Sequence, residues 1–249
     1  MSFLYRIISI FQSQNADFQA LTPEIKELMA FRKELMSLQE VDKFLAHSDY
    51  AFLRDKYSKT YTFFESTKRA QVLGFYCEKN AIEMSYVEKF LSEYDDVCLN
   101  EESSIMAKHN EQYLKRHLIE ERKYLDNLLV PVDSKIKLDD EQRRVVLSDE
   151  DYTLVIAGAG AGKTTTVSAK VRYLVEKKGV TPEQILVISF TNKAVDELRN
   201  KINKSLGIPC PVTTFHKTGY AILRRQDVER RIVVDQGFMF NVINNYLKG

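Results

Sequence analysis

Glycine is almost missing from the first part of the chain: of nine, only Gly74 precedes residue 150. Proline is as scarce there, with Pro23 alone standing before Pro131. A stretch of about 130 residues with so few helix breakers reads as a helical domain. An excess of charge of one sign is also lacking, since 36 Lys and Arg face 35 Asp and Glu for a net charge of +1. That balance removes any whole-chain electrostatic footprint for nucleic acid, so a DNA or RNA site has to be local. Cysteine is sparse: Cys77, Cys98 and Cys210 lie far apart with no C-x-x-C pair. This argues against a zinc site and against a secreted disulfide framework. A reducing cytoplasm is the expected setting. No run nears the ~18 apolar residues of a membrane span. The apolar opening, Ser2 to Phe11, is short, holds Arg6 and lacks both a basic start and a small-residue cleavage site. The expectation is a soluble cytoplasmic protein with no membrane partner. Internal repeats and low-complexity tracts are not found.

The 249 residues, 44% of them hydrophobic, suffice for two packed domains. Their expected bounds are 1–132, helical, and 133–249. Thr22-Pro23-Glu24-Ile25 supplies a capping residue, a proline suited to the first helical position and an early carboxylate. They open a helix expected to reach His47, with Leu28, Arg32, Leu35 and Leu38 on one face. From Glu101 to Val130, Met106, Tyr113, Leu114, Leu118, Leu125 and Leu129 recur near helical spacing, which predicts one long amphipathic helix stopped by Pro131. Lys115, Arg116, Arg122 and Lys123 on it alternate with Glu111, Glu120 and Glu121, as on a solvated face with i,i+4 pairs. His109 and His117 are too far apart for an i,i+4 ligand pair and read as surface or boundary residues. Tyr50 to Val97, rich in Tyr and Phe, reads as further helices.

From Thr153 the pattern changes. An apolar run, Leu154-Val155-Ile156, precedes a glycine loop, a helix and a second apolar run, Ile185 to Phe190. Strand, helix, strand is the unit of a parallel α/β sheet. Thr181-Pro182-Glu183-Gln184 makes the turn into the second strand. A helix from Lys193 to Leu206 follows, with Val195, Leu198 and Ile202 on one side. Pro211 to Thr214 is a third strand candidate. The expected fold class is α/β, a helical N-terminal domain followed by part of a P-loop, parallel-sheet domain.

The loop reads Ala157-Gly158-Ala159-Gly160-Ala161-Gly162-Lys163-Thr164-Thr165. Small residues let the backbone curl so that successive N–H groups point at phosphate oxygens, and the following helix adds its positive end. Lys163 would reach the β- and γ-phosphates, and Thr164 would offer its hydroxyl to Mg²⁺. The strict pattern begins with glycine, whereas here Ala157 stands first, a position needing a small side chain more than a positive φ. A dinucleotide fingerprint started by Gly158 and Gly160 fails at Lys163, and one started by Gly160 and Gly162 fails at Thr165. A purely structural turn leaves Lys163-Thr164 at the helix start unexplained. Nucleoside triphosphate binding is the expectation, with ATP and Mg²⁺ as ligands.

The neighbouring motifs choose among P-loop functions. Leu138-Asp139-Asp140-Glu141-Gln142-Arg143 resembles the Q motif of UvrD/Rep-type superfamily 1 DNA helicases. Ser189-Phe190-Thr191-Asn192-Lys193-Ala194-Val195-Asp196-Glu197-Leu198 is similar to that family's motif Ia, and Thr213-Thr214-Phe215-His216-Lys217-Thr218-Gly219 resembles its motif Ib. The likeness covers about residues 138 to 249, with a RecA-like motor as the implied fold. A helical N-terminal region and Thr165, where many such enzymes have arginine, resemble the helicase IV branch. The resemblance implies that Gln142 reads adenine through paired donor and acceptor contacts. It also implies that Phe190, Thr191, Asn192, His216 and Lys217 contact single-stranded DNA. Physically, Phe190 can stack on a base while Thr191, Asn192 and the helix start bind phosphate.

Implied too are ATP hydrolysis and 3′–5′ translocation in the whole enzyme. Hydrolysis further needs an acidic pair, a γ-phosphate sensor and arginines, which the family places beyond motif Ib. Ile232-Val233-Val234-Asp235 is followed by Gln236, not glutamate, so Asp235 is not read as a metal ligand. The expectation is the front portion of a helicase, incomplete for hydrolysis alone, with single-stranded DNA and a protein partner or the remaining motor as partners. A reading from another class is a noncatalytic interaction module, in which the helical domain docks a partner and the nucleotide site is vestigial. DNA-stimulated turnover with the remaining half supplied separately distinguishes them.

Overall fold

The computed structural model describes residues 21–100, 102–158 and 160–224. Ser2 to Phe11, Ala159 and Ile232 to Asp235, all weighed above, lie outside them. The chain divides into two compact units, one up to Tyr173 and one from Leu174 onward.

The first unit is helical. α1 (Pro23–Glu40) starts with proline at its first position, where the missing N–H has no partner to lose. Thr22 does not cap it; the Thr22 hydroxyl instead bonds Tyr76 Oη at 2.7 Å. Leu28, Arg32 and Leu35 are buried and Leu38 packs against the same core. The helix stops at Glu40, short of the expected His47. There Phe44 and Leu45 turn inward, and Asn110 satisfies both backbone groups of Leu45, accepting from its N–H at 2.8 Å and donating to its C=O at 2.9 Å. A bracketed backbone at Leu45 has no use for helical hydrogen bonds.

α2 (His47–Tyr50), α3 (Phe52–Arg69), α4 (Leu73–Lys79) and α5 (Met84–Tyr94) follow. Phe31 of α1 is their hub, meeting Tyr57 and Phe90 edge-on at 5.4 and 5.1 Å between ring centroids, arrangements that suit the aromatic quadrupole. Arg32 reaches Glu93 at 3.1 Å, with side chains 8% and 18% exposed. The breaks between these helices owe nothing to glycine. α3 ends with Gln71 at φ +58° and α4 with Ala81 at φ +52°. Val72 N–H then bonds Thr67 C=O and Ile82 N–H bonds Cys77 C=O, the closure of a Schellman turn.

A π-helical turn, Asp95–Leu99, leads to α6 (Ser104–Glu120) and α7 (Arg122–Asn127). These are two helices in place of the single one expected from Glu101 to Val130. The helix changes direction at Glu121, which lies at φ −90°, ψ 6° while its N–H still bonds His117 C=O and its C=O accepts from Leu125 N–H. The break lets Leu125, Leu128 and Leu129 turn inward. Lys115 pairs with Glu111 at i,i+4, as expected of a solvated face, while Arg116 leaves the helix to pair with Asp42. His109 bonds Lys43 C=O and His117 stacks on Tyr113. α8 (Asp140–Leu147) and α9 (Lys163–Glu176) complete this part, the unit boundary falling within α9.

The Leu154-Val155-Ile156 strand is not formed: Leu154 and Ile156 are 86% and 89% exposed. An apolar run becomes a parallel strand only when neighbours cover both its faces, and among the described residues no strand pairs with it.

The second unit holds a two-stranded parallel sheet. β1 (Val187–Ser189) pairs with β2 (Val212–Thr214) in the register Val187↔Val212, Ile188↔Thr213, Ser189↔Thr214. Pro182–Gln184 forms a 3₁₀ turn ahead of β1. The crossover is α10 (Asn192–Arg199) continued by a π-helical stretch, Asn200–Ser205, with Val195, Leu198 and Ile202 buried as the spacing predicted. α11 (Phe215–Arg224) leaves β2 directly.

Candidate nucleotide and nucleic-acid sites

In the first unit, α8 opens with a capping box. Asp139 accepts from Gln142 N–H at 2.8 Å, and Gln142 Oε1 accepts from Asp139 N–H at 3.1 Å, so two otherwise orphaned donors are satisfied reciprocally. The same Gln142 donates through Nε2 to Ala161 C=O in the glycine loop at 3.2 Å. Sequence positions 19 apart are thus joined. A side-chain amide has two donors and two acceptor lone pairs; one of each is used here, and one of each remains.

The loop curls through Gly160 and Gly162, both at φ +78°, a conformation that side chains other than glycine's resist. Among the described residues, chain neighbours aside, nothing lies within 4 Å of where a Cβ on Gly158 or Gly160 would sit, which leaves room for a ligand beside these two glycines. Lys163, at the start of α9, folds its ammonium back over the loop, donating to Ala157 C=O at 2.9 Å and Gly158 C=O at 2.7 Å. An exposed ammonium at the mouth of a curled backbone is the arrangement that a polyanion can capture. Thr164 and Thr165 are half-buried on the first turn. Thr164 presents one hydroxyl, a partial donor set, so Mg²⁺ would be shared with phosphate oxygens and water. Among the described residues no cluster of His, Cys, Asp and Glu could hold a metal ion by itself.

The candidate nucleic-acid residues lie in the second unit, and the parallel register gathers them. β1 and β2 end level at Ser189 and Thr214. Phe190 and Phe215, the next residue of each strand, are 82% and 71% exposed. Thr191 caps α10, accepting from Ala194 N–H at 3.2 Å. Lys217 donates from its ammonium to Asn192 Oδ1 at 3.2 Å, tying the start of α11 to the start of α10. His216 is exposed beside it. Thr191, Asn192, His216 and Lys217 therefore lie about two helix starts at the C-terminal end of the sheet, where anions are favoured. The residue not singled out from sequence is Phe215, which the register of Thr214 against Ser189 marks as the counterpart of Phe190.

Known proteins share this part of the chain. Residues 138–242 match the UvrD/REP helicase N-terminal domain. ATP-dependent DNA helicase PcrA of Staphylococcus aureus is 36% identical over 116 residues, 43% of this chain and 16% of that protein. ATP-dependent DNA helicase UvrD1 of Mycobacterium leprae is 40% identical over 93 residues, 36% of this chain and 12% of that protein. A probable DNA helicase II homolog of Mycoplasma capricolum is 32% identical over 120 residues, 45% of this chain and 16% of that protein. The matched stretch is at most about a sixth of these relatives' length. No helix among the described residues is long and apolar enough to cross a membrane. The likeness to the UvrD/REP helicase N-terminal domain is thus confined to residues 138–242, the stretch with the capping-box glutamine, the glycine loop and the paired strand ends, and it is a likeness to the N-terminal portion of UvrD-type helicases.

Proposed function

We propose that residues 133–249 are the ATP-binding front of a RecA-like, UvrD-type DNA helicase motor, preceded by a helical domain over residues 1–132. The observation that carries this reading is the contact of Gln142 with the glycine loop. An amide with a spare donor and a spare acceptor beside the glycine loop supports Gln142 as an adenine reader. The loop amides and Lys163 would hold the triphosphate, Lys163 exchanging the carbonyls of Ala157 and Gly158 for phosphate oxygens. Mg²⁺, held by Thr164 and the phosphates, would neutralise charge on the triphosphate. Phe190 would stack on a base of single-stranded DNA while Thr191, Asn192, His216 and Lys217 bind its backbone. ATP-dependent DNA helicase activity, which the relatives' names state, is proposed only for a protein that joins such a front to the remaining motor.

The test is titration of a fluorescent ATP analogue with Mg²⁺ into the chain and into Lys163→Ala, alongside phosphate release on single-stranded DNA. Binding weakened at least tenfold by Lys163→Ala supports the reading; unchanged binding removes the loop from its role. Turnover is expected to stay far below the ~1–100 s⁻¹ of complete phosphoryl-transfer enzymes.

A further inference from the structure

Gln142 sits on a helix of eight residues, too short to hold its orientation by its own hydrogen bonds. What fixes α8 comes from elsewhere in the first unit. Val146 and Leu147 are fully buried. Arg143 donates through Nη2 to Asp126 Oδ1 of α7 at 2.6 Å and through Nε to Leu138 C=O at 2.8 Å. Arg144 pairs with Glu111 of α6. Past the helix, the carboxylates of Glu150 and Asp151 accept from the first amides of α2, His47 N–H at 2.8 Å and Ser48 N–H at 2.7 Å. From the loop side, Lys170 of α9 donates to Val146 C=O at 2.9 Å and also to Ser148 C=O. The nucleotide-facing glutamine and two arginines directed at the helical domain are consecutive residues.

We infer that Arg143 and Arg144 are positioning residues through which the helical domain, by Asp126 and Glu111, sets the adenine selectivity of Gln142. The inference rests on the nucleotide reading proposed above. Ion pairs this close to solvent add little stability, but two of them on different helices stop α8 from turning about its axis. A rotation of about 20° moves a side-chain tip ~6 Å from the axis by ~2 Å, beyond the tolerance of a hydrogen bond. Release of either pair therefore misaims Gln142 while leaving the loop amides and Lys163 in place. A partner that competes for Asp126 or Glu111 would lower nucleotide selectivity without touching the nucleotide.

The experiment uses the full chain carrying Glu111→Gln with Asp126→Asn, changes that keep side-chain shape and touch nothing at the loop. Affinities for fluorescent ATP and GTP analogues are measured, with inorganic tripolyphosphate as competitor. The expected result is a fall of at least fivefold in the ATP-over-GTP ratio, with tripolyphosphate affinity changed less than twofold. The charge swap Glu111→Arg with Arg144→Glu should recover the preference. Amide hydrogen exchange over residues 140–147 should quicken in the neutralised chain and return in the swap. An unchanged ratio, or a parallel loss of tripolyphosphate affinity, overturns the inference while the nucleotide reading stands. A native chain without ATP preference overturns the reading of Gln142 and the inference with it. Should the double variant melt early, Arg144→Gln alone is read by the same ratio.

Discussion

The side-chain amide of Gln142 occupies the space that a side chain on Gly162 would need: a Cβ there would lie 2.6 Å from Gln142 Nε2. Glycine at 162 is thus favoured twice over, by the positive φ of the loop's curl and by the glutamine that leans over it.

Gly162→Ala should therefore separate the two roles of this loop. The amide can swing away, so the clash itself is cheap, but a non-glycine residue at that φ costs about 1–2 kcal/mol. The expected outcome is a modestly lower melting temperature together with loss of ATP-over-GTP preference. Differential scanning calorimetry and nucleotide titration check it; full preference in the variant would show that Gln142 is not the reader.

Ala81→Gly and Gln71→Gly should stabilise the helical domain, reversing the usual effect of glycine. Both positions hold left-handed backbone without a glycine to ease it. Relief of about 1 kcal/mol, partly offset by the greater freedom of glycine in the unfolded chain, is expected at each. Urea unfolding with unchanged m-value is the measurement, and a lower midpoint in both variants would contradict the turn geometry.

Asp96 gives the helical domain an acid-sensitive joint. Burial raises its pKa, but hydrogen bonds from Ile105 N–H, the Ser103 hydroxyl and Ser104 N–H to the charged carboxylate outweigh it, and the net shift is downward. A group with a depressed folded pKa contributes fully above its unfolded value of about 4 and loses that contribution as pH falls through the folded value. Asp96→Asn should cost about 1–2 kcal/mol at pH 7, as for a lost helix cap. The gap between native and variant should close below pH 4. A gap constant with pH would mean that the carboxylate's charge plays no part.

For the second unit, anisotropy titrations of a fluorescent oligonucleotide at several salt concentrations should divide the two kinds of contact. Lys217→Ala is expected to flatten the salt dependence by about 0.7 in log–log slope, one phosphate's share on a single strand. Phe190→Ala should weaken binding by about 1–3 kcal/mol and leave the slope alone. Phe215→Ala should behave like Phe190→Ala. Three curves identical to the native one would place any DNA binding elsewhere.

What could be read from the sequence was what is decided locally. The glycine loop, the start of α9 at Lys163 and the buried face of Val195, Leu198 and Ile202 each depend on residues within a turn or two; the capping box around Gln142 is as local but went unread. The breaks at Gln71, Ala81 and Glu121 carry no glycine or proline to announce them, since Gln, Ala and Glu elsewhere sit inside helices. Leu45 turned out of α1 because Asn110 was waiting for it. Arg143 closes the motif read from the sequence and Arg144 follows it, but nothing local names Asp126 or Glu111 as their partners. Phe215 became a candidate only through the register that sets Thr214 against Ser189.

Leu154, Val155 and Ile156 carry a consequence for handling the chain in solution. An uncharged apolar run that is exposed and pairs with no strand among the described residues is a ready template for strand addition between copies. Turbidity and slow growth of large species at high protein concentration should be seeded there, and a single lysine at Leu154 should act as a gatekeeper and keep solutions clear.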